Sequence, residues 1–163
     1  MKKISFLLLV SLLSSCSTNQ SPIITGLEGK PMPSYNLLLM DSTTRLNTVN
    51  IPTDKPIVLF LFSPNCPFCR AQTADIITNI KNLNEIRLYM ISSFPFSSLK
   101  TFYNHYQLNK YPNIIIGRDD STLFGKYFQV TAIPYIAVYD KGKRLKQVLI
   151  GNVGTKTIKK AAL

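Results

Sequence analysis

The apolar run Ile57-Val58-Leu59-Phe60-Leu61-Phe62 is bounded by Pro56 and Pro64 and leads through Ser63-Pro64-Asn65 into Cys66-Pro67-Phe68-Cys69. No other stretch constrains the fold as strongly. A short, continuous apolar run between breakers reads as a strand covered on both faces, the kind found inside a mostly parallel sheet. After the cysteines, Ala71, Ala74, Ile77, Ile80 and Leu83 recur near helical spacing and predict a helix over 66–83. Cys66 is therefore expected where a buried strand turns into a helix. The first peptide N–H groups of a helix lack intrahelical partners and carry partial positive charge. They favour a thiolate over a thiol, and the thiolate is the species that attacks disulfides.

Elsewhere strands and helices alternate. Residues 35–40 and 46–51 predict two short strands around Asp41-Ser42-Thr43-Thr44. Residues 86–91 predict a strand, 97–108 a helix with Leu99, Phe102, Tyr103 and Tyr106 on one side, and 113–116 another strand. A short helix over 121–128 has Ser121 as candidate cap. Two strands, 135–139 and 146–150, flank Asp140-Lys141-Gly142-Lys143 as a hairpin, and 151–163 should end as a helix. This order predicts an α/β fold, one sheet with helices on both faces.

The first fifteen residues read as a leader. Lys2 and Lys3 precede an apolar stretch from Ile4 to Leu13 that is too short to span a bilayer and suits a signal-peptide core. It ends at Leu13-Ser14-Ser15-Cys16, which resembles a bacterial lipoprotein signal, and that resemblance makes Cys16 the lipid-attachment residue. Residues 16–32, rich in Ser, Thr, Asn, Pro and Gly, are expected to form a flexible tether, leaving 33–163 as the folded domain. An exported chain lives where disulfides persist. With Cys16 lipidated, Cys66 and Cys69 are the remaining thiols, and a loop so small makes a poor structural staple. They make better sense as a redox pair. The formal charge of +11 is spread without a run of like charge and suits a solvated basic face near anionic lipid. No nucleic-acid partner is expected, since no recognisable module is present.

Taken together, the strand, Cys66-Pro67-Phe68-Cys69-Arg70, the helix, and far downstream Val130-Thr131-Ala132-Ile133-Pro134 before a strand and Asp140-Lys141-Gly142 resemble the thioredoxin superfamily. The strands before the motif and the inserted helix and strand over 95–116 resemble its exported TlpA/ResA-type thiol-disulfide oxidoreductases. The resemblance implies a thioredoxin-like fold: a central mixed sheet with helices on both faces, an N-terminal strand pair and an inserted helix–strand unit. It implies that Cys66 attacks and Cys69 resolves, with no cofactor and no metal. It makes Pro134 a cis-proline and gives the Ile133 backbone to pairing with an extended client strand. Pro67 suits the first helical position. Phe68 is expected exposed beside the sulfurs, with a core placement as the alternative. The implied partners are disulfide- or thiol-containing envelope proteins, a separate redox partner, and a membrane reached through the lipid anchor. The place implied is the cell envelope or periplasm.

Three positions depart from the pattern. Phe60 stands where many thioredoxins have a buried aspartate, Asn65 where they have tryptophan, and Gln72 where TlpA-like chains often have glutamate. The family favours a reductant, whereas fewer carboxylates near Cys66 favour a more oxidising couple, and the direction stays open. Two other activities fit the same residues. Peroxide reduction is supported by Ser63, three residues before Cys66, and weakened by Leu59, where a peroxiredoxin has proline. A copper-binding chaperone would use the two thiolates, with His105 as the sole histidine. Asp75 and Glu85 are expected on the surface.

Overall fold

The computed structural model describes residues 23–163. The leader, the Cys16 attachment site and the start of the tether lie outside the described residues. The elements, in chain order, are β1 (Asn36–Leu39), β2 (Arg45–Asn47), β3 (Ile57–Leu61), α1 (Pro67–Thr78), β4 (Arg87–Ser92), α2 (Phe96–His105), β5 (Ile114–Arg118), α3 (Leu123–Tyr127), β6 (Tyr135–Tyr139), β7 (Leu145–Ile150) and α4 (Thr155–Ala162). They build one mixed sheet in the order β2-β1-β5-β4-β3-β6-β7. The central strands β3, β4 and β5 run parallel. β6 joins β3 antiparallel and continues into the β7 hairpin. β1 joins β5 antiparallel and carries β2 on its outer side. The expected α/β architecture, its N-terminal strand pair and its inserted α2–β5 unit are all present.

The apolar run over β3 is central for a physical reason. Successive side chains point to opposite faces, so Val58 and Phe60 enter one core and Ile57 and Leu59 the other. The first core is roofed by α1, α2 and α4 through Ile76, Leu99, Phe102 and Ile158. The second lies under α3 and the chain before β1, with Phe124, Phe128, Met32 and Tyr35. Each fully buried aliphatic or aromatic side chain contributes about 1.5–3 kcal/mol relative to exposure.

Several boundaries differ from expectation. β2 stops at Asn47, because the Asn47 side chain accepts the Val49 N–H and starts a 3-10 turn over Thr48–Asn50. α1 stops at Thr78 and a 3-10 turn, Ile80–Leu83, replaces its expected end. α2 begins at Phe96 and ends at His105. α3 begins at Leu123 after Thr122 in a left-handed conformation, and the Asp119 carboxylate satisfies its start by accepting the Phe124 N–H at 2.9 Å.

The tether boundary also moves. Residues 27–32 are pinned to the hairpin, with Gly29 N–H to the Leu145 carbonyl at 2.8 Å, Leu145 N–H to the Lys30 carbonyl at 3.0 Å and Met32 N–H to the Lys143 carbonyl at 2.9 Å. Ile23 bridges to Val148 on the open edge of β7. An edge strand offers unpaired backbone groups, and this segment satisfies some of them, so the ordered chain starts before residue 33.

Candidate active site

The site is built by the loop leaving β3. The Asn65 N–H donates to Ser63 Oγ at 3.2 Å and the Cys66 N–H to the Ser63 carbonyl at 3.2 Å, folding Ser63–Pro64–Asn65 into a tight turn. Cys66 is the N-cap of α1, with extended backbone (φ −78°, ψ 120°), and Pro67 takes the first helical position, where its missing N–H costs nothing. The Cys66 carbonyl accepts the first helical bond, from Arg70 N–H at 3.0 Å. In place of the usual Ser or Asp oxygen, the Cys66 sulfur is the capping acceptor: it receives the Cys69 N–H at 3.4 Å. The helix start thus directs one of its otherwise unpartnered N–H groups, that of Cys69, at this sulfur.

Cys66 is half-buried and Cys69 fully buried, and both are free thiols. Burial pushes the Cys69 thiol up to about 12, and the neighbouring Cys66 sulfur acts in the same direction, against a smaller opposing effect of the Ser63 backbone. Cys69 therefore rests as a neutral thiol beneath an accessible sulfur.

Across from them, the peptide bond between Ile133 and Pro134 is cis, as expected. The Cys66 Sγ lies 4.0 Å from the Ile133 carbonyl oxygen. Pro134 itself is buried, and its carbonyl accepts the Gly151 N–H at 2.8 Å. Phe68 is 65% exposed, which decides against the core placement. Cys66, Cys69, Pro67, Phe68, Ile133 and Pro134 thus come together at the carboxyl end of β3.

The departures have clear places. Phe60 is buried, so no carboxylate underlies the sulfurs at that position. Asn65 is exposed. Gln72 is buried, its Oε1 accepts the Val153 N–H at 2.8 Å, and its Nε2 has no partner among the described residues. Glu85 is exposed, as expected. Asp75 is not a free surface acid. It accepts the Thr155 N–H at 2.8 Å and the Thr155 hydroxyl, and the Asn79 amide at 2.9 Å, joining the cysteine helix to the start of α4. Its partner lies eighty residues away, so periodicity gave no sign of it.

The face of α1 is also rotated from expectation. Cys69, Gln72, Thr73 and Ile76 point inward, while Ala71 and Ala74 are exposed. Two of the inward polar groups are hydrogen-bonded: the Thr73 hydroxyl donates to the Cys69 carbonyl at 2.8 Å, and Gln72 Oε1 accepts the Val153 N–H. His105 is exposed on α2, 4.7 Å in ring separation from Tyr106. Among the described residues, no group of three or more His, Cys, Asp or Glu converges as metal ligands would.

No protein-family model matches the sequence, and no curated protein matches it. Solved structures do. DsbF of Mycobacterium tuberculosis superposes with a TM-score of 0.65 at 17% identity, over 78% of this chain and 91% of that one. The exposed lipoprotein thioredoxin of Streptococcus pneumoniae gives 0.62 at 20% identity, over 78% and 96%. The peroxidoxin BcpB of M. tuberculosis gives 0.66 at 16% identity, over 82% and 92%. The fold is therefore thioredoxin-like; at these identities the likeness concerns the fold.

Proposed function

We propose that the chain is a thiol-disulfide oxidoreductase of the cell envelope, held to a membrane by lipid on Cys16 and exchanging disulfides with envelope proteins through Cys66 and Cys69. One observation carries the reading: a half-exposed Cys66 sulfur caps the start of α1, beside the Ile133 carbonyl and one turn from a buried Cys69. A structural cysteine pair needs neither the exposure nor the capping geometry.

The chemistry balances within the chain. The Cys66 thiolate attacks one sulfur of a client disulfide, a new S–S bond forms, and the client's other sulfur leaves as a thiolate that takes up a proton. Cys69 then loses its proton and attacks the Cys66 sulfur, closing the Cys66–Cys69 disulfide and releasing the client as a dithiol. Two electrons pass from the chain to the client, and the reverse sequence oxidises a client. Burial of Cys69 suits this order, because a thiol kept neutral waits until the mixed disulfide brings an electrophilic sulfur alongside. In this reading the Ile133 backbone, whose carbonyl oxygen lies 4.0 Å from Cys66 Sγ, pairs with an extended client strand, and exposed Phe68 and Pro67 offer it apolar contact. As a reductant, the favoured direction, the chain needs a separate redox partner to restore its dithiol.

For the envelope, the support is the leader and Cys16 in the sequence; no helix of the described residues is long and apolar enough to cross a membrane. Residues 16–22 and lipid at Cys16 form the anchor in this reading.

The decisive experiment incubates the reduced chain with a protein disulfide. Turnover is expected, with the Cys69→Ser variant accumulating a mixed disulfide through Cys66. A reduction potential near the roughly −270 mV of thioredoxin fits a reductant and one near the roughly −120 mV of DsbA an oxidant. No exchange in either direction overturns the reading. Ser63, whose carbonyl accepts the Cys66 N–H at 3.2 Å, keeps peroxide reduction as a second reading. Peroxide consumption that exceeds disulfide exchange, and that fails in Ser63→Ala, would place it first. The copper alternative rests on the two thiols alone and is tested by one-equivalent Cu(I) binding.

A further inference from the structure

A cavity of about 260 Å³ opens beside the motif, and Ile133 is not among the residues that line it. One wall is the loop and first turn that carry Cys66, through Pro64, Asn65 and Arg70. The other is α2, the inserted helix, through Thr101, Phe102, His105 and Tyr106. Its floor is aromatic. Phe102 stacks at 4.6 Å from Tyr106 and at 4.7 Å from Phe62, so the floor continues into the core beneath the β3 end. Arg70 is clamped over it: its Nε donates to the Pro64 carbonyl at 2.8 Å, and its own carbonyl accepts the Tyr106 hydroxyl at 3.3 Å. That bond uses Nε, and among the described residues the two terminal nitrogens of the exposed Arg70 make no hydrogen bond. Among the described residues no ion pair includes Arg70, and none of those lining the cavity is an acid.

We infer that this cavity selects the client: it takes an acidic side chain, Asp or Glu, lying a few residues from the cysteine that Cys66 attacks. The inference rests on the redox reading above and deepens it. Three features converge. The guanidinium is a planar two-toothed donor for carboxylate, held in place by a bond that does not consume its fork. Its helix position is one turn from Cys66, a rise of about 6 Å, which matches the reach from a bound cysteine to a neighbouring side chain. The aromatic floor and the Thr101 and His105 side chains offer apolar cover and further polar contact to the stem and carboxylate. A client bonded to Cys66 is then held at two places, by backbone at Ile133 and by charge at Arg70.

The test uses one disulfide-bonded peptide made in three forms, with Glu, Gln or Lys beside the cystine. The second-order rate constant of each with the reduced full-length chain is measured at low and high salt, together with that of a small neutral disulfide. The ratio between Glu and Gln forms is the readout, because it cancels any change in the reactivity of Cys66 itself. The parent is expected to prefer Glu over Gln by about tenfold at low salt, with Lys slowest. Arg70→Gln should bring the ratio to within about twofold, and His105→Gln should lower it by less. Lys110→Ala removes one positive charge at a surface outside this cavity and should leave the ratio in place, which separates the cavity from the net charge of +11. Equal rates for Glu and Gln peptides, with the neutral disulfide still reduced, overturn this inference and leave the redox reading standing. A ratio that falls as much in Lys110→Ala as in Arg70→Gln also overturns it. Failure to reduce any disulfide removes both.

Discussion

Replacing Asp75 with alanine should loosen the helix that carries both cysteines, and the size of the effect follows from its contacts. α4 begins after Gly154, which has no side chain to cap it. Asp75 supplies the cap from α1, accepting both the N–H and the hydroxyl of Thr155. A lost helix cap costs about 1 kcal/mol, and a hydrogen bond to a charged group about 1.5–3 kcal/mol. These overlap, and Asp75 is partly open to solvent, so the expected loss is about 2–3 kcal/mol. For a domain of this size that is a fall in Tm of about 5–10 °C. Asp75→Asn keeps one acceptor oxygen and should lose about 1 kcal/mol. Urea unfolding of the reduced protein gives the numbers, and a double-mutant cycle with Thr155→Ala should show a coupling of about 1 kcal/mol. An alanine variant melting within about 2 °C of the parent, with additive single effects, would refute the tie between α1 and α4.

Other outcomes follow from burial and close contact. The Cys69 thiol is held at about 12 against an ordinary value of 9.0, so between those limits the native chain binds a proton that the unfolded chain has released. That stabilisation is fully present below about pH 9 and is lost as pH rises toward about 12. Burial raises Tyr35, Tyr135 and Tyr139 in the same direction. Stability should therefore fall with alkaline pH, less steeply in Cys69→Ala; equal slopes in urea titrations would contradict this. Gly117 on β5 faces β1 so closely that a Cβ would sit 2.8 Å from the Leu37 Cβ. Gly117→Ala should destabilise by about 1–3 kcal/mol, and a neutral melting result would deny the close approach. Phe124→Ala in the second core should cost about 3–5 kcal/mol by the same assay, and a loss under about 1 kcal/mol would show that α3 does not seal that face.

The sequence made the site legible wherever local order determines it. A short apolar run between prolines reads as a covered strand, and Pro67 after Cys66 suits the helix start, so the capping position of Cys66 follows. Pro134 could be assigned its place through resemblance, since isomer state leaves no local signature. What escaped depends on distant partners. Gln72 and Thr73 are buried and Ala71 and Ala74 exposed, with Gln72 Oε1 accepting the Val153 N–H and Thr73 donating to the Cys69 carbonyl, which apolar periodicity does not register. Asp75 looked like a solvated acid because Thr155 is remote in sequence. The segment before residue 33 has linker composition, yet it pairs with β7 because a sheet edge needs partners whatever the side chains are. The cavity beside Arg70 needs α2 folded against α1, so composition alone could not show it.

Timed alkylation of the reduced protein at neutral pH, with each cysteine quantified by mass spectrometry, tests the division of labour most directly. Burial pushes the Cys69 thiol up to about 12, so it is neutral there, and the side chain is sealed from solvent. Cys66 should be modified at least about a hundredfold faster than Cys69. Comparable rates at the two positions, or Cys69 reacting first, would contradict an exposed nucleophile backed by a buried resolving thiol.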